Sequence, residues 1–423
     1  MTEPKWATGL RAHTEALIEK LSAELPKNAG PVAIGRILTQ LEPDYLTGIT
    51  QVLIDAVPEE KNHPDWILKS RRTRSVRCRW GTVHLPVIRY QHRQSGEYQS
   101  CLTDPELDHS GWLPEALSFL LALGTELPPG IAEPLCRQAG FNVSRAELDR
   151  LLADYGHTIR DERHRSLCEQ AFEPLASPAG ATPGRIMVAQ LDGCYVLEQP
   201  QDGHCAGIEV KAVMVYPEQA PRQRVMHADV RPIAEFQPAC AGLLREAGVR
   251  QQDTLVGLGD GAPWVSATLR LMGAEVVLDV FHAATYLDTL MEHLGWDEDL
   301  RRRERQAWLR GECDGAQWLS TYLPREELRQ GWNDAGCTAA RYLLDRVSQM
   351  HYPSYRARGW PIGSGQIEGA NKSVIGHRMK RAGQHWSRTG AAGMAAIRSR
   401  ACSVSRPLPF NALRKLAFPV PHF

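Results

Sequence analysis

The chain has 423 residues, 43% of them hydrophobic and 23% charged, which suits a globular protein of two or three domains and excludes a wholly disordered chain or a coiled coil. Lys plus Arg and Asp plus Glu both total 49, so the average charge gives no sign of a polyanionic partner. The opening residues Met1-Thr2-Glu3-Pro4-Lys5 carry no basic stretch before an apolar core, no run approaches the roughly 18 apolar residues of a spanning helix, and the ten cysteines include no C-x-x-C pair. A cytoplasmic protein without membrane contact is expected, its thiols buried, with neither a disulfide framework nor a zinc ribbon.

In chain order, residues 7–60 read as amphipathic helices, with Leu17, Ile18, Leu21 and Leu25, then Ile37, Leu38 and Leu41, at helical spacing. Between Lys69 and Arg93 stand eight Lys/Arg and no acid, and over 77–93 the period changes, with Val83, Leu85 and Val87 alternating as in a short hairpin. Helical spacing returns over 113–155, where Ser144-x-x-Glu147 forms a capping box after the Gly140-Phe141-Asn142-Val143 turn. Helix, turn and capped helix are parts shared by helix-turn-helix DNA readers and by ordinary helical hairpins. The Pro/Gly/Ser/Ala stretch 174–184 reads as a linker.

Strand signals follow at 186–191, 209–216 and 224–230, then a helix over 233–247, a strand over 254–259, a helix over 264–272 and a strand over 274–278. The expected order is βββαβαβ, a mixed α/β sheet domain. Residues 287–351 read as a helical insertion rich in charge and in tryptophan (296, 308, 318, 332), rings that either stack on bases or, more commonly, fill a core. A basic helix is expected from about Ser364. The segmentation is therefore a helical region at 1–70, a hairpin and helix-turn-helix-like region at 71–173, the linker at 174–184, a catalytic part at 185–286, the insertion at 287–351, and a second catalytic part with a basic tail at 352–423.

The zero net charge hides a segregation: residues 351–423 hold twelve Lys/Arg and one acid, Glu368, a net +11. With the 69–93 run, this is the footprint of a protein that neutralises phosphates, or of solvated faces that balance an acidic remainder. Asp192 and Asp260 each end an apolar strand and precede glycine, a position that fixes carboxylate oxygens and lets a substrate approach, although Asp-Gly is also an ordinary turn. Two hard cations in line for phosphoryl displacement require a third carboxylate. Glu368 is the candidate; an i,i+4 ion pair with Lys372 is the bland alternative. Along its helix Lys372, Arg378, Lys380 and Arg381 could hold flanking phosphates and Trp386 could stack on an unpaired base or sit in the core. Asp279 and His282 stand one turn apart after a strand, as second-sphere or DNA-contacting groups, or as a simple helix cap.

Four strings together resemble the insertion-sequence transposases of the ISKra type, DDE recombinases related to the mutator-type group. They are Gln190-Leu191-Asp192-Gly193, Gly259-Asp260-Gly261-Ala262-Pro263-Trp264, Asp279-x-x-His282, and the long run from Trp360 through Gly363-Ser364-Gly365-Gln366-Ile367-Glu368 to Lys372, continuing in Arg378-Met379-Lys380-Arg381 and Trp386. The resemblance covers about residues 185–400. It implies an RNase H-like catalytic domain interrupted by an all-helical insertion, a triad of Asp192, Asp260 and Glu368, and a C/D-x-x-H signature at Asp279 and His282. It also implies an N-terminal third that recognises terminal inverted repeats.

The expected activity is then DNA transposition. Mg2+ or Mn2+, in a pair held by the triad, would serve cleavage at element ends and strand transfer into double-stranded target DNA, with a homo-oligomer assembled on the DNA. Two other readings stay open: a catalytically inactive DNA-binding regulator using residues 113–155, and an RNase H-like nuclease without strand transfer.

Overall fold

In a computed structural model, which describes residues 5–24, 31–55, 65–102, 110–177, 184–200, 202, 204–323 and 334–403, the chain is mixed α/β. It divides into two compact units, one reaching Asp154 and the other starting at Tyr155. No described helix is long and apolar enough to cross a membrane.

The first unit opens with α1 (Lys5–Glu24) and α2 (Pro31–Asp55), as the helical spacing predicts, and continues into an antiparallel sheet of β1 (Trp66–Arg77), β2 (Thr82–His92) and β3 (Tyr98–Leu102). The hairpin is longer than the 77–93 expected, because β1 begins at Trp66, inside the region read as helical. Its alternation is hidden: β1 exposes side chains of both parities from Ile67 to Thr73, so only Val76 reads as core. Val76, Cys78, Val83 and Leu85 form a small cluster with Ile54, Trp80 and Leu113 against it.

Three helices follow, α3 (Pro114–Glu126), α4 (Pro129–Gln138) and α5 (Arg145–Gln170). The Ser144 hydroxyl accepts from the Glu147 amide, which is half of the expected capping box. The Glu147 carboxylate does not reach back; it forms a forked pair with Arg77 and accepts from the Trp112 indole, tying the hairpin base to α5. The division between units falls inside α5 instead of in the 174–184 stretch, because the second half of this helix packs on the following sheet. Part of that stretch is also pinned down: Gln251 donates to Ala176 O and Leu175 O, and Ser177 to the Gln251 side chain. Residues 178–183 lie outside the described residues.

The second unit is built on β4 (Ile186–Leu197), β5 (Gly207–Pro217), β6 (Val225–Asp229), α6 (Ile233–Glu246), β7 (Thr254–Gly259), α7 (Pro263–Leu271) and β8 (Glu275–Leu278). The sheet order is β6-β5-β4-β7-β8, with β5 antiparallel to its neighbours. One face buries Leu191, Val213 and Val215 against Phe236 and Leu243 of α6, Leu269 of α7 and Leu167 of α5. A fully buried Phe or Leu here contributes about 2–3 kcal/mol, which makes this cluster the main source of stability. The other face is covered too, so β5 is buried without interruption from Val210 to Tyr216 and reads as an apolar run.

Beyond β8 come α8 (Val280–His293), α9 (Glu298–Leu309), α10 (Gly315–Tyr322) and α11 (Asp334–Leu344), then α12 (Tyr352–Ala357). The helical segment starts at Val280, seven residues before the expected 287, because Asp279 caps it directly after the strand. Trp308 and Trp318 are buried and meet edge-on, with Trp296, Tyr322 and Tyr352 around them. These rings fill a core. Trp332 lies outside the described residues.

The glutamate helix is shorter than the pattern suggests. It comprises α13 (Gly365–Asn371), a π-helical turn at Lys372–Gly376 and α14 (His377–Met379), after which the chain turns. Arg398 of α15 (Arg388–Ala401) donates to the carbonyls of Ser373 and Val374 and supports the widened turn from outside. Residues 404–423, the end of the expected basic tail, lie outside the described residues; before them α15 is buried along one run from Ala391 to Arg400, and it packs on β5 and β6. Arg378, Arg398 and Arg400 are interior, so part of the +11 segment never meets solvent.

One buried carboxylate fastens the start of the sheet. Asp253 has no exposed side-chain surface and accepts from the backbone and side chains of Arg185 and Arg250. Burial alone would raise its pKa, but these hydrogen bonds outweigh it and hold the carboxyl far below the usual range. A depressed folded value means that the stabilisation is fully present above the unfolded pKa near 4 and disappears as pH falls through the folded one. Both arginines are partly exposed, which screens the pair, so Asp253→Asn should cost about 2–3 kcal/mol at pH 7. Urea unfolding at pH 7 and pH 3 checks this, with a smaller difference from wild type expected at pH 3.

Candidate active site

The ladder registers bring the aspartates together. β4 pairs with β7 up to Gln190 opposite Leu258, and β7 with β8 up to Gly259 opposite Leu278. The ladders stop two residues short of Asp192 and Asp260 and one short of Asp260 and Asp279, at one end of three neighbouring strands, and Asp260 lies near enough to Asp192 to raise its pKa. Asp260 follows β7 directly, as expected. Asp192 does not end its strand: β4 runs on to Leu197 because β5 continues to pair with it, with Asp192 opposite Ala212. Gly193 is therefore a strand residue and Asp192-Gly193 is no turn.

Gln190 fastens α13 to the sheet. Its carbonyl accepts from the Ile367 amide at 2.8 Å, and its amide donates to the Tyr216 hydroxyl at 3.0 Å and to Gly363 O at 3.4 Å. Asn371, one turn beyond Glu368, donates to Asp192 at 2.7 Å. The buried Asp279 accepts from the Ser364 amide at 2.6 Å, so the first residue of the glutamate segment is held by the cap of α8. From the insertion, the Tyr342 hydroxyl donates to Asp260 O and Arg346 Nε donates to Gly261 O at 2.8 Å, bracing the second aspartate turn. Gly261 has φ +79°, and a side chain there would run into Arg346, so glycine is required on both counts.

Asp279 also accepts from the backbone and the ring of His282, at 2.9 and 2.8 Å. Ligand atoms of Asp279, His282 and Glu368 lie within 4.8 Å of one another. Burial pushes Asp279 up, but His282 and the Ser364 amide outweigh it and hold the carboxyl below the usual range. His282 is raised by its hydrogen bond to Asp279, against partial burial, with Asp260 and Glu368 adding their charges. Asp192 is raised by burial and by Asp260, opposed by Asn371, the Gly193 amide and His282. His282 is thus the basic group among these carboxylates, bonded directly to Asp279. The tightest group contains Glu368 with Asp279 and His282; Asp192 and Asp260 join it through electrostatic reach and through Asn371.

The residues expected on DNA separate into two groups. Lys372 and Lys380 are exposed and Arg381 is half-buried, donating to His377 O. Arg378 is 2% exposed and stacks over Trp386, whose indole donates to Met379 O and whose backbone bridges Leu197 and Gln199. These two hold the turn after α14 against the end of β4; Arg378 is interior and Trp386 half-buried. Asp279, fully buried, likewise cannot touch DNA directly.

Gln190, Asn371, Tyr342 and Arg346 escape the sequence reading. A polar Gln inside an apolar strand beside Asp192 is a signal for the first, and helical spacing from Glu368 for the second. Nothing local marks the insertion residues. Gln190→Met keeps the volume but leaves the Ile367 amide and the Tyr216 hydroxyl without their partner, so a loss of about 2–4 kcal/mol is expected in chemical denaturation. Compared with protein-family models and with curated proteins, the chain matches none.

Proposed function

We propose that the chain is a DNA transposase of the DDE type that cuts DNA at the ends of a mobile element and joins the freed 3′-hydroxyl to target DNA. The observation that carries this reading is that Asp192 and Asp260 stand at one end of the paired strands β4 and β7, with the glutamate helix tied to β4 by Gln190 and Asn371. The sheet supports it: counted from β4, the order is 3-2-1-4-5 with the second strand alone antiparallel, in keeping with an RNase H-like domain.

Asp192, Asp260 and Glu368 are the residues that would hold Mg2+ or Mn2+. 

 The fit rests on the donor set: the oxygens are carboxylates, suited to hard cations, and the buried Asn371 Oδ1 beside Asp192 has no protein partner among the described residues. Bound there, such ions supply activation of water and stabilise the charge that develops on a scissile phosphate. The chain itself does the positioning. Asn371 fixes the Asp192 carboxylate, Tyr342 and Arg346 fix the Asp260 turn, and Asp279 with His282 fixes the start of the helix that carries Glu368.

Exposed Lys372 and Lys380 are the phosphate contacts near the site. The β1–β2 ribbon adds Lys69, Arg72 and Arg89 in the first unit. Double-stranded DNA is the partner, with a homo-oligomer around paired ends and a cytoplasmic location, on the nucleoid when DNA-bound. The test is incubation with a supercoiled plasmid carrying the element's ends. Cleaved and joined products that need Mg2+ or Mn2+ support a transposase. Cleavage without joining supports a nuclease, and binding without any metal-dependent product supports a regulator.

A further inference from the structure

Facing the opposite side of the sheet from the acidic cluster is a second group of ligating side chains. His227 pairs with Val213 in the β5–β6 register, and Val213 with Leu191, whereas Asp192 belongs to the alternate parity; His227 therefore points toward α5 and α6. It is 0% exposed, and neither ring nitrogen meets a protein partner among the described residues. His164 of α5 and Asp229 at the end of β6 complete the group, with ligand atoms of all three within 4.8 Å of one another. His164 Nδ1 is likewise buried without a protein partner. Its Nε2 lies 3.6 Å from Cys168 Sγ, one helical turn on.

We propose that His164, His227 and Asp229 form a structural zinc site that fastens α5 to the edge strand β6. Two imidazoles with a thiol close by are donors that suit zinc and not magnesium or calcium. Asp229 already accepts from Arg160, Arg231 and the Val230 amide, a set of partners that orients it as ligand supports do. Among the described residues its Oδ2 accepts only from Arg231 Nε and keeps a lone pair for the metal. Zinc with ligands at about 2.0–2.1 Å separates them by roughly 3.3 Å, so each side chain has to close by under about 1 Å.

Arg160, Arg163 and Arg231 act against a positive charge at His227, and acidic partners balance each of them. Arg160 and Arg231 are paired with Asp229, Arg231 also with Asp161 and Glu235, and Arg163 with Glu246. The site is independent of the proposed transposase chemistry, because it uses none of the acidic residues on the other face.

The experiment is zinc titration of the full-length chain, reduced and stripped of metal, against a chromophoric zinc indicator, with thermal unfolding at each zinc level. Wild type should take up one tightly bound zinc and unfold at higher temperature with zinc than without. His164→Ala and His227→Gln should lower the affinity by at least about 100-fold and remove the thermal shift. Asp192→Asn combined with Glu368→Gln should leave both intact, which separates this site from the acidic cluster. If His227→Gln does not fold, His164→Ala, on a half-buried helix position, decides alone. Absence of tight zinc binding in wild type, unchanged binding in His164→Ala, or loss of binding in the Asp192→Asn, Glu368→Gln variant overturns the proposal.

Discussion

Asp192→Asn is expected to lower metal-dependent cleavage of element ends by at least about 10³-fold while changing DNA affinity by less than about threefold. The substitution is nearly isosteric and retains an acceptor for the Asn371 amide at one atom, so β4 and α13 should keep their places. What it removes is the charge. Asp192 is held by a short network, and burial together with Asp260 raises its pKa, so a bound cation would relieve both. Phosphate affinity comes from lysines and arginines elsewhere and should persist. Paired measurements of cleavage rate and of end binding by gel shift check the result; cleavage at the wild-type rate would overturn the assignment.

Gly242→Ala should destabilise the second unit by about 3 kcal/mol or more, or prevent its folding. In an isolated helix the same change is favourable by about 1 kcal/mol, so tertiary packing decides the sign. A methyl group at 242 would run into the Leu167 carbonyl oxygen, and that obstacle is the backbone of α5, which has no rotamer to change. The helices would have to separate and open the cluster around Leu167, Phe236 and Leu243. Gly369→Ala is the contrast: nothing lies within 4 Å of the added carbon in α13, and a gain of about 0.5–1 kcal/mol is expected. Thermal and urea unfolding of both variants give the comparison.

Most elements of the second unit are legible from periodicity, since β4 to β8 and their helices follow runs of one period bounded by glycine, proline or aspartate. The basic ribbon is less so, because β1 has little apolar alternation to read. Helix ends are weaker still: the π turn at 372–376 depends on Arg398, distant in sequence, and no local pattern announces it. The charge count misleads in a specific way. Arg378, Arg398 and Arg400 look like phosphate ligands in the sequence, yet each is interior, where an arginine is stable only because carbonyls or aromatic rings accept it.

By itself the sequence determined the identity and order of the carboxylates, the strands that precede them and the single glutamate among bases, because these depend on local pattern and composition. Only the tertiary structure decided that Glu368 groups with Asp279 and His282, that Asp192 lies within a strand, and that His164 and His227 meet on the opposite face. Each of those facts depends on strand register and helix docking, where a shift of one residue would turn every side chain to the other face of the sheet.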